Sequence, residues 1–177
     1  MLKTLFLDRD GVINDVIMRD GVVSSPRALA EFSIKDEFID FYNRLTSLSL
    51  QTFVVSNQPD VARRLLDRDE LRLMTEELKR RFAFTEVIYC MHDNNDGCEC
   101  RKPKPGMILQ TLKQHDLKAD ESIIIGDSYK DILAGKAAGI RTIYYCQGYN
   151  STVPCEPDYR VSKLIEALSL LPFTNLS

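Results

Sequence analysis

Two carboxylates leave the first apolar run of the chain together, in Asp8-Arg9-Asp10-Gly11-Val12-Ile13-Asn14. Acids two residues apart can both reach one crevice if the backbone turns at Gly11. Asp8 then supplies a carboxylate nucleophile, which splits one hard displacement into two easier ones. Asp10, further out, can protonate a leaving oxygen and afterwards activate water. Three other segments carry matching chemistry. Ser56-Asn57-Gln58 offers a hydroxyl and backbone N–H groups to phosphate oxygens. Arg101-Lys102-Pro103-Lys104-Pro105-Gly106 offers cations, and Lys102 suits charge gathering in a transition state. Gly126-Asp127-Ser128-Tyr129-Lys130-Asp131 offers further carboxylates. Asp8 and Asp127 can share a hard cation, and Mg²⁺ commonly takes one or two carboxylates and keeps several waters. That ion would offset repulsion between an anionic nucleophile and an anionic phosphate.

Taken singly, each segment has a plain structural use. Asp-x-Asp is common in turns, Ser-Asn-Gln is a turn, the Lys-Pro run is a solvated basic loop, and Asp127 or Ser128 can cap a helix. Their order along the chain is what argues for chemistry. Short β-rich apolar runs fall at residues 4–7, 52–55, 87–89, 123–125 and 142–145, each bounded by polar or turn residues, as buried parallel strands are. Between them the spacing predicts helices over 34–48, 67–82, 106–115, 129–138 and 161–170. The first places Ile34, Phe38, Phe41, Tyr42 and Leu45 on one face. Asp67 with Glu70 resembles a capping box, Gly139 is a C-terminal stop, and Ser162 is the expected cap of the last helix. Such alternation implies right-handed crossovers and an open parallel sheet. Ligands in these sheets sit at the carboxyl ends of strands, where three of the four motifs fall.

A second constellation is Cys90-x-His92-x₅-Cys98-x-Cys100. Three thiolates and one imidazole are the set that tetrahedral structural zinc prefers, and four protein ligands leave no open position for catalysis. Zinc would staple loop 90–100 and fix where Arg101 and Lys102 point. The alternative is a reduced, metal-free loop. Five cysteines, an odd number, with three crowded beside a histidine, favour metal over disulfides and a reducing cytoplasm. The chain has 177 residues, which fits one domain, 1–177, and its net charge of −3 gives no footprint for nucleic acid or an anionic membrane. No apolar run approaches the roughly 20 residues of a membrane helix, and the N-terminal run lacks the pattern of a signal peptide.

The first motif, Asp8 to Asn14, and Arg101-Lys102-Pro103-x-Pro105-Gly106-Met107 resemble the haloacid dehalogenase superfamily, in its heptose bisphosphate phosphatase and histidinol phosphatase branch. The resemblance implies an α/β, three-layer, Rossmann-like parallel sheet of order 3-2-1-4-5, with helices on both faces. It implies a capless form, since neither 14–51 nor 58–101 has room for a large cap. It makes Asp8 the phosphoryl acceptor and Asp10 the acid/base. Ser56 becomes the phosphate-binding hydroxyl with Asn57 beside it, and Lys102 the motif lysine with Arg101 reaching substrate. Mg²⁺ would be held by Asp8, Asp127 and the Asp10 backbone carbonyl, with Asp131 orienting the cluster. The branch often carries a similar cysteine–histidine loop, and its capless members imply a monomer. The implied substrate is a small phosphorylated metabolite, first D-glycero-manno-heptose 1,7-bisphosphate and second histidinol phosphate. Pro59-Asp60 departs from the branch after Ser56-Asn57-Gln58, in a segment that lines the substrate pocket; Arg63 or Arg64 would contact a distal phosphate or lie on a solvated helix face. Two other classes compete: a phospho-acceptor signalling module, with strand order 2-1-3-4-5 and no need for Asp10, and a zinc-stapled interaction protein.

Overall fold

In the computed structural model, which describes residues 2–149 and 154–171, the chain starts with strand β1 (Thr4–Leu7), buried throughout. A hairpin of β2 (Ile17–Arg19) and β3 (Val22–Ser24) follows, then helix α1 (Asp36–Leu45) and strand β4 (Gln51–Asn57). Next come a short helix α2 (Pro59–Ala62), helix α3 (Arg68–Arg81) and strand β5 (Glu86–Cys90). Helix α4 (Gly106–Gln114), strand β6 (Ser122–Gly126), helix α5 (Tyr129–Ala137), strand β7 (Arg141–Tyr145) and strand β8 (Tyr159–Val161) complete the order. The main sheet runs β5-β4-β1-β6-β7-β8 and every pairing in it is parallel. The five expected strands thus lie in the order 3-2-1-4-5, extended by β8 at one edge. The signalling order 2-1-3-4-5 is excluded.

Side chains alternate across the strands and build a core on each face. On one face Leu5, Leu7, Val54, Ile123, Ile125 and Ile143 meet Phe38, Phe41, Tyr42 and Leu45 of α1 and Leu78 of α3. On the other, Phe6, Phe53, Val55 and Ile124 meet Met107, Ile108 and Leu112 of α4 and Ala134 of α5. Phe38 is fully buried, edge-on to Phe82 with ring centroids 5.1 Å apart. Truncating it to alanine would cost about 3–5 kcal/mol. These two layers make the sheet a rigid platform. Its central register aligns Thr4 with Gln51 and with Ser122, so β1, β4 and β6 start level, and β4 runs on past the end of β1 to Asn57.

Four local expectations are corrected. Residues 161–170 are not one helix: Val161 closes β8, and only a 3₁₀ turn, Leu164–Ser169, follows, with Lys163 rather than Ser162 at its N-cap. Ile34 precedes α1 and bridges to Asn14 instead of starting the helix. Asp67 caps α3, accepting from the Asp69 N–H at 2.7 Å. Glu70, however, accepts from the Leu29 N–H at 2.6 Å, tying α3 to the turn Leu29–Glu31 instead of completing a capping box. Before α1 the β2–β3 hairpin forms around Asp20 (φ 50°) and Gly21 (φ 77°), an element the sequence reading did not include. An Asp-Gly pair between apolar runs is a strong hairpin signal, so this element was legible. No helix among the described residues is long and apolar enough to cross a membrane.

Candidate active site

Asp8 extends β1, its N–H bonded to the Ile125 carbonyl at 3.0 Å. Asp127 follows the last residue of β6, and Asp131 lies on the first turn of α5. Carboxylate oxygens of Asp8, Asp127 and Asp131 lie within 4.8 Å of one another, and all three residues are buried. Two glycines make this approach feasible. Gly11 has φ 90°, and a Cβ there would sit 2.1 Å from Asp127 Oδ2. A Cβ on Gly126 would sit 2.2 Å from the Asp131 Cβ. Lys102 enters from the loop between β5 and α4 through a cis Lys102–Pro103 peptide. Its Nζ donates to Asp8 Oδ1 (2.7 Å), Asp131 Oδ1 (2.5 Å) and the Val55 carbonyl (2.7 Å). Asn57 holds that loop in place: its amide donates to the Lys102 carbonyl (2.8 Å) and accepts from the Lys102 N–H (3.0 Å).

The electrostatics follow from burying three carboxylates beside one ammonium. Burial and the Asp131 carboxylate push Asp8 up to about 7, against the pull of Lys102. Asp127 is likewise raised well above the usual carboxylate range by burial, Asp8 and Asp131. Burial would lower Lys102, but Asp131 and Asp8 outweigh it and keep the ammonium charged. A cluster of hard oxygen donors with surplus negative charge fits a divalent ion of the Mg²⁺ type. Asp131 has both oxygens engaged, one by Lys102 and the other by the Ser128 N–H at 3.1 Å, which favours an orienting part for it.

Asp10 points to a different set of partners. Arg9 donates to it three times at 2.9–3.1 Å, Asn14 at 2.9 Å, Ser25 at 2.9 Å and Gln58 at 2.7 Å. Arg9 is fully buried, its guanidinium 5.6 Å from the ring centroids of both Phe32 and Tyr89. Burial alone would raise Asp10, but the Arg9 charge and the donors from Asn14 and Ser25 prevail and hold its carboxyl low. Arg9, Ser25 and Gln58 were not singled out from sequence. Arg9 and Gln58 sit inside the recognised motifs, where type alone gives no contact; Ser25 carries no local signal.

Asp8, Asp10, Ser56, Asn57, Lys102, Asp127 and Asp131 line one cavity of about 500 Å³, roofed in part by Val23 and Ser24 of the hairpin. A second cavity of about 550 Å³ adjoins it through Ser24, Ser25, Asn57 and Lys130. Arg19, Arg27, Arg63, Arg101 and Lys130 line it, against the acids Asp20 and Asp60. Asp60, at the position that departs from the branch, is buried and bonds Arg27 at 2.7 Å and Arg63 at 3.4 Å. Arg63 also pairs with Asp93 at 2.5 Å. Arg63 therefore faces the cavity and is no plain solvated cation, whereas Arg64 takes a left-handed turn conformation (φ 58°) outside it.

The sulfur–nitrogen cluster also assembles. Ligand atoms of Cys90, His92, Cys98 and Cys100 lie within 4.8 Å of one another. Cys90 Sγ is 3.1 Å from Cys100 Sγ and 3.7 Å from Cys98 Sγ, and His92 Nδ1 is 3.3 Å from Cys100 Sγ. The five-residue spacer folds as a 3₁₀ turn, Asn94–Asp96, closed by reciprocal bonds of Asp93 and Asp96. Burial and the Cys100 thiol push Cys90 up to about 12, so a thiolate there requires a cation. This loop leads directly into Arg101 and Lys102.

The HAD-hydrolase-like family matches residues 99–169. A Pasteurella multocida protein named D-glycero-beta-D-manno-heptose-1,7-bisphosphate 7-phosphatase is 32% identical over 152 residues, 80% of this chain and 79% of that one. A Campylobacter jejuni protein named for the alpha anomer of the same substrate is 33% identical over 146 residues, 80% of each chain. Among solved structures, the D,D-heptose 1,7-bisphosphate phosphatase of B. bronchiseptica, complexed with magnesium and phosphate, superposes with a TM-score of 0.83. It is 26% identical, over 96% of this chain and 98% of that one. With the strand order and the buried carboxylate–lysine cluster, these likenesses lead to one conclusion: the chain belongs to the D-glycero-D-manno-heptose-1,7-bisphosphate 7-phosphatase family of HAD-like hydrolases.

Proposed function

We propose that the chain is a Mg²⁺-dependent phosphatase that removes one phosphate from D-glycero-D-manno-heptose 1,7-bisphosphate through an aspartyl-phosphate on Asp8. The observation that carries this reading is the Asp8–Lys102–Asp131 contact beside Asp127, at the carboxyl ends of the central strands and open to a cavity with a cationic annex. Asp8 attacks phosphorus, while Lys102 and the Ser56 hydroxyl stabilise the equatorial oxygens. Asp10 gives a proton to the departing sugar oxygen and later takes one from the attacking water. The free site holds Asp10 anionic, and an arriving phosphate anion raises its proton affinity, loading it for the first step. Asp8, Asp127 and the Asp10 backbone carbonyl would hold Mg²⁺, which neutralises charge between nucleophile and phosphate when bound. Asn57 acts by fixing the Lys102 loop, and Arg101 faces the annex as a substrate contact.

Cys90, His92, Cys98 and Cys100 would hold a structural zinc that fixes the loop ahead of Arg101 and Lys102, suited to a reducing cytoplasm. The annex favours a second phosphate: Arg19, Arg27 and Arg63 pair with Glu31, Asp60 and Asp93, and Arg101 and Lys130 remain to meet an anion and to disfavour the ammonium of histidinol phosphate. Phosphate release should be measured with both anomers of the heptose bisphosphate, histidinol phosphate and heptose monophosphates, with and without Mg²⁺. Fastest release from a bisphosphate, lost without Mg²⁺, is expected. Preference for histidinol phosphate would overturn the substrate assignment.

A further inference from the structure

The hydroxyl of Tyr149 has no part in the phosphoryl transfer described above, yet it lies against the catalytic cluster. It donates to Asp127 Oδ2 at 2.8 Å and lines the main cavity. Gly11 closes on the same point. A Cβ there would stand 2.1 Å from Asp127 Oδ2 and 2.5 Å from the Tyr149 hydroxyl. Three segments far apart in sequence therefore meet at one carboxylate oxygen and define its direction.

We propose that Tyr149 is a positioning residue that makes Asp127 a one-oxygen metal ligand and so tunes the cluster toward Mg²⁺ over Ca²⁺. The proposal rests on the reading of this cluster as the Mg²⁺ site. A carboxylate whose Oδ2 accepts a hydrogen bond from the phenol, with the Gly11 backbone close beside it, is held from presenting both oxygens symmetrically to one ion. Mg²⁺ is small and demands a near-octahedral set of short bonds, which a single oriented oxygen satisfies. Ca²⁺ takes six to eight oxygens and readily uses both atoms of a carboxylate. The phenol thus withholds a coordination mode that favours the larger ion. It also holds Asp127 in one rotamer, sparing Mg²⁺ that ordering on binding.

The test is calorimetric titration of the purified full chain with MgCl₂ and, separately, CaCl₂, in the parent, Tyr149→Phe and Asp127→Asn. Phenylalanine keeps the ring, and thermal melts check that the fold is kept. Tyr149→Phe is expected to bind Mg²⁺ about tenfold more weakly, in the range typical for loss of a partner that orients a metal ligand. Its Ca²⁺ affinity is expected to hold or rise, so the ratio of the two affinities falls. Unchanged affinities, or equal losses for both ions, overturn the proposal. Asp127→Asn separates this from failure of the metal-site reading itself. If the parent takes up no Mg²⁺, or Asp127→Asn binds it undiminished, the site is misassigned and the Tyr149 proposal falls with it.

Discussion

Asp8→Asn isolates the charge of one buried carboxylate while keeping its size and its ability to accept from Lys102. Burial and Asp131 lift Asp8 from an ordinary 3.8 to about 7 in the folded chain. The folded value lies above the unfolded one. The stability this group contributes is therefore complete below about pH 4 and is lost as the pH rises through 7. A difference of that size corresponds to roughly 4 kcal/mol once Asp8 is fully ionised. Asparagine carries no charge and escapes the loss. Because Asp127 and Asp131 readjust around it, a net gain of about 2–4 kcal/mol is expected at pH 8, which raises the melting temperature of a chain this size by at least about 4 °C. Melts of parent and variant should be compared at pH 5 and pH 8 in Mg²⁺-free buffer without chelator, so that the cysteine loop is undisturbed. The advantage of the variant should grow with pH, and added Mg²⁺ should stabilise the parent more than the variant. Phosphate release should fall by about 10⁴-fold or more, since a nucleophile has no substitute. Retained turnover would refute the nucleophile assignment. A variant that melts below its parent at pH 8 would refute the surplus of negative charge.

Three further outcomes are expected. Metal analysis of the purified chain should find about one zinc per molecule, and Cys98→Ser should reduce it; a parent without zinc removes the staple from the account. Ser25→Ala takes one donor from Asp10, so its pKa rises and the alkaline limb of the kcat/KM profile, where the general acid loses its proton, moves up by as much as about one pH unit; an unmoved limb separates Asp10 from the acid/base step. Arg63→Ala should raise KM for the bisphosphate about tenfold and leave monophosphate kinetics unchanged; equal losses for both would remove Arg63 from distal-phosphate recognition.

That Asp8, Asp10, Ser56 and Asp127 would meet at one cavity was readable because two local signals coincide: apolar periodicity marks where a strand ends, and residue type marks what stands there. The cysteine–histidine set was readable for a simpler reason, since all four ligands fall within eleven residues. The hairpin at Asp20-Gly21 was equally local, and the segment 161–170 was misjudged because short apolar runs fit strand and helix alike.

Other features have no local signature at all. Lys102 meets Asp8 across 94 residues, Gln58 meets Asp10 across 48, and Tyr149 meets Asp127 across 22. Asp60 looks like a surface acid in sequence but is buried between Arg27 and Arg63, 33 residues from the first and three from the second. Periodicity reports which face of an element is apolar; it says nothing about which distant polar group will arrive opposite. That pairing is set when crossovers bring the carboxyl ends of the strands together and burial removes water, because most polar groups must then find a partner within the protein.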